Sequence, residues 1–370
     1  MLALTNGLIQ LSDYQWIAED AGLAALAERL ADGRPLFIDT EFMRERTYYA
    51  RLALVQVNDG EHCYLIDPLG IADLSLLHRL LADRPLILHA CSEDIEVLRH
   101  CCGLAADQVC DTQVAAALCG ADMQLSYQRL VEQRLDVRLA KSATRTDWLQ
   151  RPLSAEQLDY AVDDVRYLPA LHAALLVDLQ ARQREHWWHE ECARLNAESQ
   201  RQTPTDLLWR DVKGAVALEG AGRRRLRALA AWRDQAARQT DQPRSFILRD
   251  PQLVALAAQP PHDRAGLQAA GMHPSALRRF AEPLLALLAE ADQGDIPPPL
   301  PGMPEAEVKQ RSARLRKHFA ALAEQHQLAP EVLARRRWLE TLARDPQQLP
   351  EVFAGWRSEV IGDSLAEVLS

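Results

Sequence analysis

The stretch Leu36-Phe37-Ile38-Asp39-Thr40-Glu41-Phe42 decides how the rest of the chain is read. It is short and apolar, and Gly33 and Pro35 stand just before it. That combination fits a buried strand better than a helix. Side chains alternate along a strand, so Asp39 and Glu41 share one face while Ile38 and Thr40 share the other. Two carboxylates about 7 Å apart on one sheet face are costly to bury as neighbours. Either the strand end is solvated and the acids face water, as charged residues mostly do, or a divalent cation sits between them.

The flanking sequence reads as an α/β domain with a mixed sheet. Trp16 to Leu30 carries apolar residues at helical spacing. Leu52–Val57, Cys63–Ile66 and Leu86–His89 are further strand candidates, and Asn58-Asp59-Gly60 is a hairpin turn signal. Asp73–Leu81 reads as a helix, and Ser92 is placed to cap another running through Cys102. Asp111–Leu118 and Leu125–Leu135 read as helical or mixed. Ser154-Ala155-Glu156-Gln157 is a capping box, and the helix it opens carries Tyr160, Asp163 and Asp164. A Leu- and Ala-rich helical segment runs from Pro169 to about Asn196.

Beyond the linker at Gln202-Thr203-Pro204-Thr205 the pattern is all helical. The Pro-rich stretch from Gly294 to Gly302 divides it into two pieces of similar length, readable as diverged copies of one module. The expected division is an α/β domain over 1–203, a helical domain over 204–293, a linker over 294–303 and a second helical domain over 304–370.

Composition sets outer bounds. The 370 residues are enough for two or three domains with their own cores. No apolar run approaches the length of a membrane span, and the first residues lack the pattern of a signal peptide. The seven cysteines contain no Cys-x-x-Cys and read as small hydrophobes of a reduced, cytoplasmic protein. The net charge of −10 by itself argues against a nucleic-acid partner. The charge is uneven, however: acids cluster in the first half, and Arg223-Arg224-Arg225, Arg311 to Lys317 and Arg335-Arg336-Arg337 lie in the second. An acidic catalytic site with basic binding helices gives this asymmetry, and so do solvated helix faces.

Each further acid is ordinary when taken alone. Asp94 stands where a strand runs into a helix, a place favoured by the helix dipole. Asp164 follows Tyr160 by four residues and shares its helix face. Asp163 also approaches that face, and helical geometry does not separate the two. The order of the motifs changes the reading. Asp-x-Glu on the first strand, an Asp at a later strand end and Tyr-x-x-x-Asp on a later helix together resemble the DEDD exonuclease superfamily, in the subclass whose third motif carries Tyr. The similarity is closer still to the ribonuclease D family, through Phe37–Phe42, Arg46-Thr47-Tyr48-Tyr49, Leu65–Ile71, Leu88–Asp94, Asp111-Thr112-Gln113, Lys141–Trp148 and Tyr160–Leu168. It is dense over about residues 10–200. The helical half is similar to the helicase-and-RNase-D C-terminal (HRDC) modules, at Trp232-Arg233-Asp234 and Pro243–Pro251, and more weakly at Leu328–Ala334. Family members often carry an acid before the Lys-Ser that here is Lys141-Ser142; this chain has Ala140.

The resemblance implies a ribonuclease-H-like mixed-sheet exonuclease domain followed by two all-α HRDC-type domains. It implies Asp39, Glu41, Asp94 and Asp164 as ligands of two divalent ions, Mg²⁺ or Mn²⁺, with Asp39 as the bridge. Tyr160 would orient the attacking water, because an unperturbed phenol near pH 10 makes a poor general base. The family spacing favours Asp164 over Asp163. The implied activity is 3′→5′ removal of nucleotides as 5′-monophosphates, with tRNA precursors and other small structured RNAs as partners, by a monomer. Proofreading DNA exonucleases share these acids, so a DNA-directed enzyme is the nearest alternative. A non-catalytic nucleic-acid scaffold would need none of the acids, and a helicase-associated role lacks any motor motif. His186-Trp187-Trp188-His189 reads as a helix with its tryptophans inward and its histidines at the rim.

Overall fold

The structure, a computed structural model, describes residues 14–105, 108–140, 146–302 and 305–369. Lys141, Ser142 and Arg145 of the expected motif, and the first six residues, lie outside the described residues. The described chain forms two units. One comprises the described residues of Met1–Met43, Arg51–Gln200 and Glu305–Ser370, and the other those of Arg44–Ala50 and Arg201–Pro304.

In the first unit a six-stranded mixed sheet is built on the stretch that opened the reading. Its strands are β1 (Tyr14–Ile17), β2 (Leu36–Met43), β3 (Arg51–Asn58), β4 (Cys63–Ile66), β5 (Leu86–Leu88) and β6 (Val109–Asp111), in the order β1-β4-β3-β2-β5-β6. β2, β3 and β4 form an antiparallel meander, and β1, β5 and β6 join in parallel. The β3–β4 turn is closed by its own side chains. Asn58 Oδ1 accepts from the Gly60 amide, Asp59 Oδ1 accepts from the amides of Glu61 and His62, and Gly60 takes φ +97°.

The helices of this unit are α1 (Asp20–Arg29), α2 (Ser75–Leu81), α3 (Ser92–Cys102), α4 (Thr112–Leu118), α5 (Tyr127–Leu135), α6 (Ala155–Arg166), α7 (Leu168–Ala181) and α8 (Glu185–Gln200). Three expectations are corrected. Trp16 and Ile17 belong to the edge strand Tyr14–Ile17 rather than to the first helix, because backbone pairing with β4 outweighs the helical spacing of Trp16. Ser92 does not cap α3: the N-cap is Cys91, without a side-chain cap. The segment from Pro169 to Asn196 is two helices. It breaks at Gln183, at φ +57°, where the Arg184 amide closes back on the Leu179 carbonyl in a Schellman pattern. On α8, Trp187 and Trp188 are buried and His186 and His189 exposed, as the sequence suggested.

In the second unit the helices are α9 (Gly220–Thr240), α10 (Arg244–Ile247), α11 (Asp250–Ala258), α12 (Arg264–Ala269) and α13 (Pro274–Glu290). Asp234 organises it. Its buried carboxylate accepts from Arg238 (2.7 Å), Arg244 (2.6 Å) and the Tyr48 hydroxyl (2.8 Å). The amides of Tyr48 and Tyr49 donate to Asp241 at 3.0 and 3.1 Å. The Arg-Thr-Tyr-Tyr motif therefore finds its partners on α9 and α10. Two arginines of the first basic run are engaged within the unit: Arg224 donates to the carbonyls of Ala291 and Gly294, and Arg225 pairs with Asp292.

The chain then returns to the first unit as α14 (Ala306–Gln325), α15 (Pro330–Leu333), α16 (Arg336–Arg344), α17 (Trp356–Ile361) and α18 (Ser364–Leu369). Its first three helices repeat the second unit in length: 21, 4 and 9 residues in α9 to α11, and 20, 4 and 9 in α14 to α16. The ends match as well. α11 closes at Gln259 with φ −132°, ψ 88°, and α16 at Asp345 with φ −130°, ψ 85°. Leu253, Leu256 and Ala257 of α11 correspond in position to Leu339, Leu342 and Ala343 of α16, and all six are buried. The second piece buries its apolar face in the same core as the sheet and α7.

A buried charge network joins this piece to α8. Glu191 accepts from Arg357 at 2.6 and 3.0 Å, from Arg194 at 2.7 Å and from the Trp356 indole at 3.3 Å. Arg357 also donates to the carbonyls of Val332 and Leu333. Burial works to raise Glu191, but the hydrogen bonds and charges of the two arginines outweigh it and hold the carboxyl down at about 2. Breaking such a pair strands a buried charge. Arg357→Ala should therefore lower the unfolding free energy at pH 7 by about 3–5 kcal/mol in urea titrations. A folded pKa below the unfolded one stabilises above the ordinary carboxylate range and is lost as pH falls toward about 2. The difference between wild type and variant should accordingly shrink with acidification below pH ~4.

Candidate metal centre

Asp39, Glu41 and Phe37 leave the same face of β2. Across the antiparallel ladder, Phe37 pairs with Asn58, Asp39 with Gln56 and Glu41 with Leu54. Phe37, Leu54 and Leu65 pack with Ala161, Val162 and Val165 of α6 in one core, so α6 covers this face. The capping box fixes where α6 begins. Ser154 Oγ accepts from the Gln157 amide at 3.2 Å, and Gln157 Oε1 accepts from the Ser154 amide at 3.0 Å. The Asn58 amide donates to the Val165 carbonyl at 3.1 Å and ties the helix to β3 one residue past Asp164.

This phase brings Asp164 to the strand acids. Carboxylate oxygens of Asp39, Glu41 and Asp164 lie within 4.8 Å of one another. Asp163 points elsewhere, to Arg166 at 3.3 Å. Tertiary packing thus separates two residues that helical periodicity does not.

Asp94 arrives by another route. Asp111, at the N-terminus of α4, accepts from the amides of Gln113 (2.7 Å), Ala90 (3.0 Å) and Cys91 (3.1 Å). Ala90 has φ +59°, a conformation that costs an L-residue about 1–2 kcal/mol and that the two bonds to Asp111 offset. The turn so held starts α3 and delivers Asp94. Thr40, which alternation puts on the other face of β2, donates its hydroxyl to Asp94 at 2.5 Å. Asp94 stands outside the tight trio, yet its charge acts on both Asp39 and Glu41.

The electrostatics are one-sided. Burial, then Asp164, Asp94 and Glu41, push the Asp39 carboxyl well above its ordinary range. Burial, then Asp164 and Asp94, raise Glu41 to about 8. Burial and Asp163 raise Asp164 to about 8 against a lowering hydrogen bond from Tyr160. Asp94 is raised by burial to about 6, with Thr40 opposing. The charges acting on all four come from other carboxylates. Asp164 Oδ2 is buried with no hydrogen-bond partner. A cluster of hard oxygens, mutually repelling and with an orphaned lone pair, fits Mg²⁺ or Mn²⁺.

Tyr160 stands at the edge of the acids with its ring 6.0 Å from that of Trp148. Burial and the charges of Asp164, Glu41 and Asp39 push its hydroxyl well above the ordinary phenol range. Sequence reasoning missed three supporting residues: Thr40 beneath Asp94, Asp111 behind it, and Tyr127, whose hydroxyl donates to the Asp163 carbonyl at 3.0 Å. Thr40 and Asp94 are far apart in the chain, so no local pattern reveals their bond. Asp111 stood in a recognised motif without a role. Its Asx-type N-cap to Gln113 was the one readable signal.

Carboxyls whose folded pKa lies above the unfolded value stabilise fully at low pH and lose that contribution as pH rises through the folded pKa. With EDTA present, the melting temperature should therefore carry a loss between pH ~4 and about 8, set by Glu41 and Asp164. Asp39→Asn should make that loss smaller and raise the EDTA melting temperature at pH 8 by a few degrees, roughly 1 kcal/mol, as read by scanning calorimetry.

The sequence matches the 3′-5′ exonuclease domain family over residues 14–180 and the HRDC domain family over residues 223–288. Ribonuclease D of Pseudomonas paraeruginosa is 38% identical over 368 residues, spanning 96% of this chain and 98% of that protein. Ribonuclease D of Escherichia coli K12 is 35% identical over 369 residues, spanning 96% and 98%. The crystal structure of E. coli RNase D, an exoribonuclease involved in structured RNA processing, aligns with a TM-score of 0.90 at 35% identity over 97% of this chain and 99% of that one. The catalytic core of RRP6 from Trypanosoma brucei, at 21% identity and a TM-score of 0.60 over 75% of this chain and 79% of that one, shares the fold.

Proposed function

The chain belongs to the ribonuclease D family of 3′→5′ exoribonucleases, and from that premise we propose what it acts on and how. Its substrates are tRNA precursors and other small structured RNAs, trimmed from the 3′ end one nucleotide at a time as 5′-monophosphates. The observation that carries this reading is the convergence of Asp39, Glu41 and Asp164 within 4.8 Å, with Tyr160 hydrogen-bonded to Asp164.

Asp39, Glu41, Asp94 and Asp164 would hold two divalent cations. Bound there, the cations offset the charge of the phosphodiester and lower the pKa of water. The chain's own groups do the rest. Tyr160, a phenol with an ordinary pKa near 10, is a poor general base, and its hydroxyl would orient the attacking water. Trp148 steadies the tyrosine ring. Thr40 and Asp111 hold Asp94 in place.

The division we propose assigns catalysis to 1–203 and RNA-body contacts to the helical modules over 204–293 and 304–370, joined by the 294–303 linker. Part of the basic surface is occupied internally, as Arg224 and Arg225 show. Arg314, Arg316 and Lys317 on α14 are exposed and suit phosphate contact. The protein works as a monomer in the cytoplasm. None of its seven cysteines is in a disulfide, and no helix among the described residues is long and apolar enough to cross a membrane.

A gel assay on a 3′-extended tRNA tests the mechanism. With Mg²⁺ the wild type should give a ladder shortening from the 3′ end, absent with EDTA and reduced at least 100-fold in Asp164→Asn. Asp163→Asn should stay within a few-fold of wild type and Tyr160→Phe should be slowed about 10–100-fold. Binding without shortening refutes the catalytic reading, and shortening of single-stranded DNA but not RNA of the same sequence refutes the substrate. Replacing Arg314, Arg316 and Lys317 together by Ala should flatten the log–log salt dependence of RNA affinity by up to about 3; an unchanged slope removes them from the interface.

A further inference from the structure

Gln56 lies in the middle of β3 and is fully buried, yet neither its amide nitrogen nor its amide oxygen has a hydrogen-bond partner. Burying an amide with both ends unsatisfied is costly, and such a group in a folded protein calls for an explanation. The register supplies one. Gln56 pairs with Asp39 on β2 and with Leu65 on β4. Residues directly opposite one another leave the sheet on the same face, with Cβ atoms about 5 Å apart. The glutamine side chain therefore emerges beside Asp39, on the face that α6 covers.

A satisfied amide on this face is two residues away. Asn58 donates to the Val165 carbonyl and to Cys63 Sγ. Gln56 has neither bond, although its neighbours Leu54 and Leu65 belong to a core that any apolar side chain of its size could join. Its position pairs an unsatisfied neutral donor and acceptor with a strand acid of the candidate metal centre.

We propose that Gln56 is a positioning residue of the metal centre, its amide N–H donating to the Asp39 carboxylate when that carboxylate holds a cation. The bond fixes which lone pairs of Asp39 face the ion. An amide does this without adding charge to a site already dense in it. Carboxylates that ligate metals are themselves hydrogen-bonded, and loss of such a partner weakens metal affinity about 10–100-fold. This inference rests on the reading of Asp39, Glu41, Asp94 and Asp164 as a metal centre.

The test is calorimetric titration of Mn²⁺ into the full-length wild type, Gln56→Met, Gln56→Leu and Asp39→Asn, with the melting temperature of each in EDTA. Both Gln56 variants should melt at or above the wild type without metal, because the unsatisfied amide is gone. Both should bind Mn²⁺ about tenfold or more weakly. The Mn²⁺ concentration for half-maximal RNA shortening should rise by the same factor, and saturating Mn²⁺ should restore the rate. Unchanged Mn²⁺ affinity in both variants, with Asp39→Asn abolishing binding, overturns the proposal and leaves the metal centre standing. A lowered metal-free melting temperature in both variants also overturns it, since the amide would then be satisfied within the fold itself. Identical titrations of wild type and Asp39→Asn remove the metal centre and this proposal with it.

Discussion

Asp39 and Glu41 leave one face of a central strand, and α6 brings Asp164 down onto the same face. The repulsion among these half-buried carboxylates is the constraint on which the rest of the structure depends. Burial penalises each charge, neighbouring carboxylates raise it further, and among the described residues no cation acts on them. A fold maximising its own stability would place leucine or alanine there. This one surrounds the acids with a close-packed sheet and helix and leaves an oxygen of Asp164 unsatisfied. The stability given up at the acids is recovered in the surrounding apolar core and in networks such as that of Glu191 with Arg357.

The supporting bonds share a design. Asp111 holds the turn before α3, the Ser154–Gln157 box sets the start of α6, and Asn58 pins α6 to β3. Each fixes a backbone element, and the element then delivers an acid. Precision at the centre thus comes from hydrogen bonds one residue or more removed from it. Glu191 and the central acids also respond to pH in opposite senses. The arginine-paired carboxylate stabilises the fold at neutral pH, and the unpaired cluster works against it there.

Much of this was legible in the chain. The meander of β2, β3 and β4 follows from short apolar runs and a turn whose Asn58, Asp59 and Gly60 each do what turn chemistry asks of them. The capping box of α6 is local, so sequence shows it directly. The order of the acids identified the family. What sequence could not show depends on contacts distant along the chain. Tyr14–Ile17 became a strand through β4, and helical periodicity left Asp164 beside Asp163, a choice that the family spacing made and that α6, settled on the sheet, gives a physical basis. Thr40 found Asp94 from the other side of β2. The matching ends of α11 and α16 reveal a repeat in backbone geometry where few side chains agree.

The most direct test of the central claim is an anomalous-difference map from crystals of the full chain grown or soaked with Mn²⁺. Two peaks are predicted, ligated by oxygens of Asp39, Glu41, Asp94 and Asp164, with Asp39 reaching both. A map with no peak at these four carboxylates, while Mn²⁺ supports RNA shortening in solution, would contradict the account.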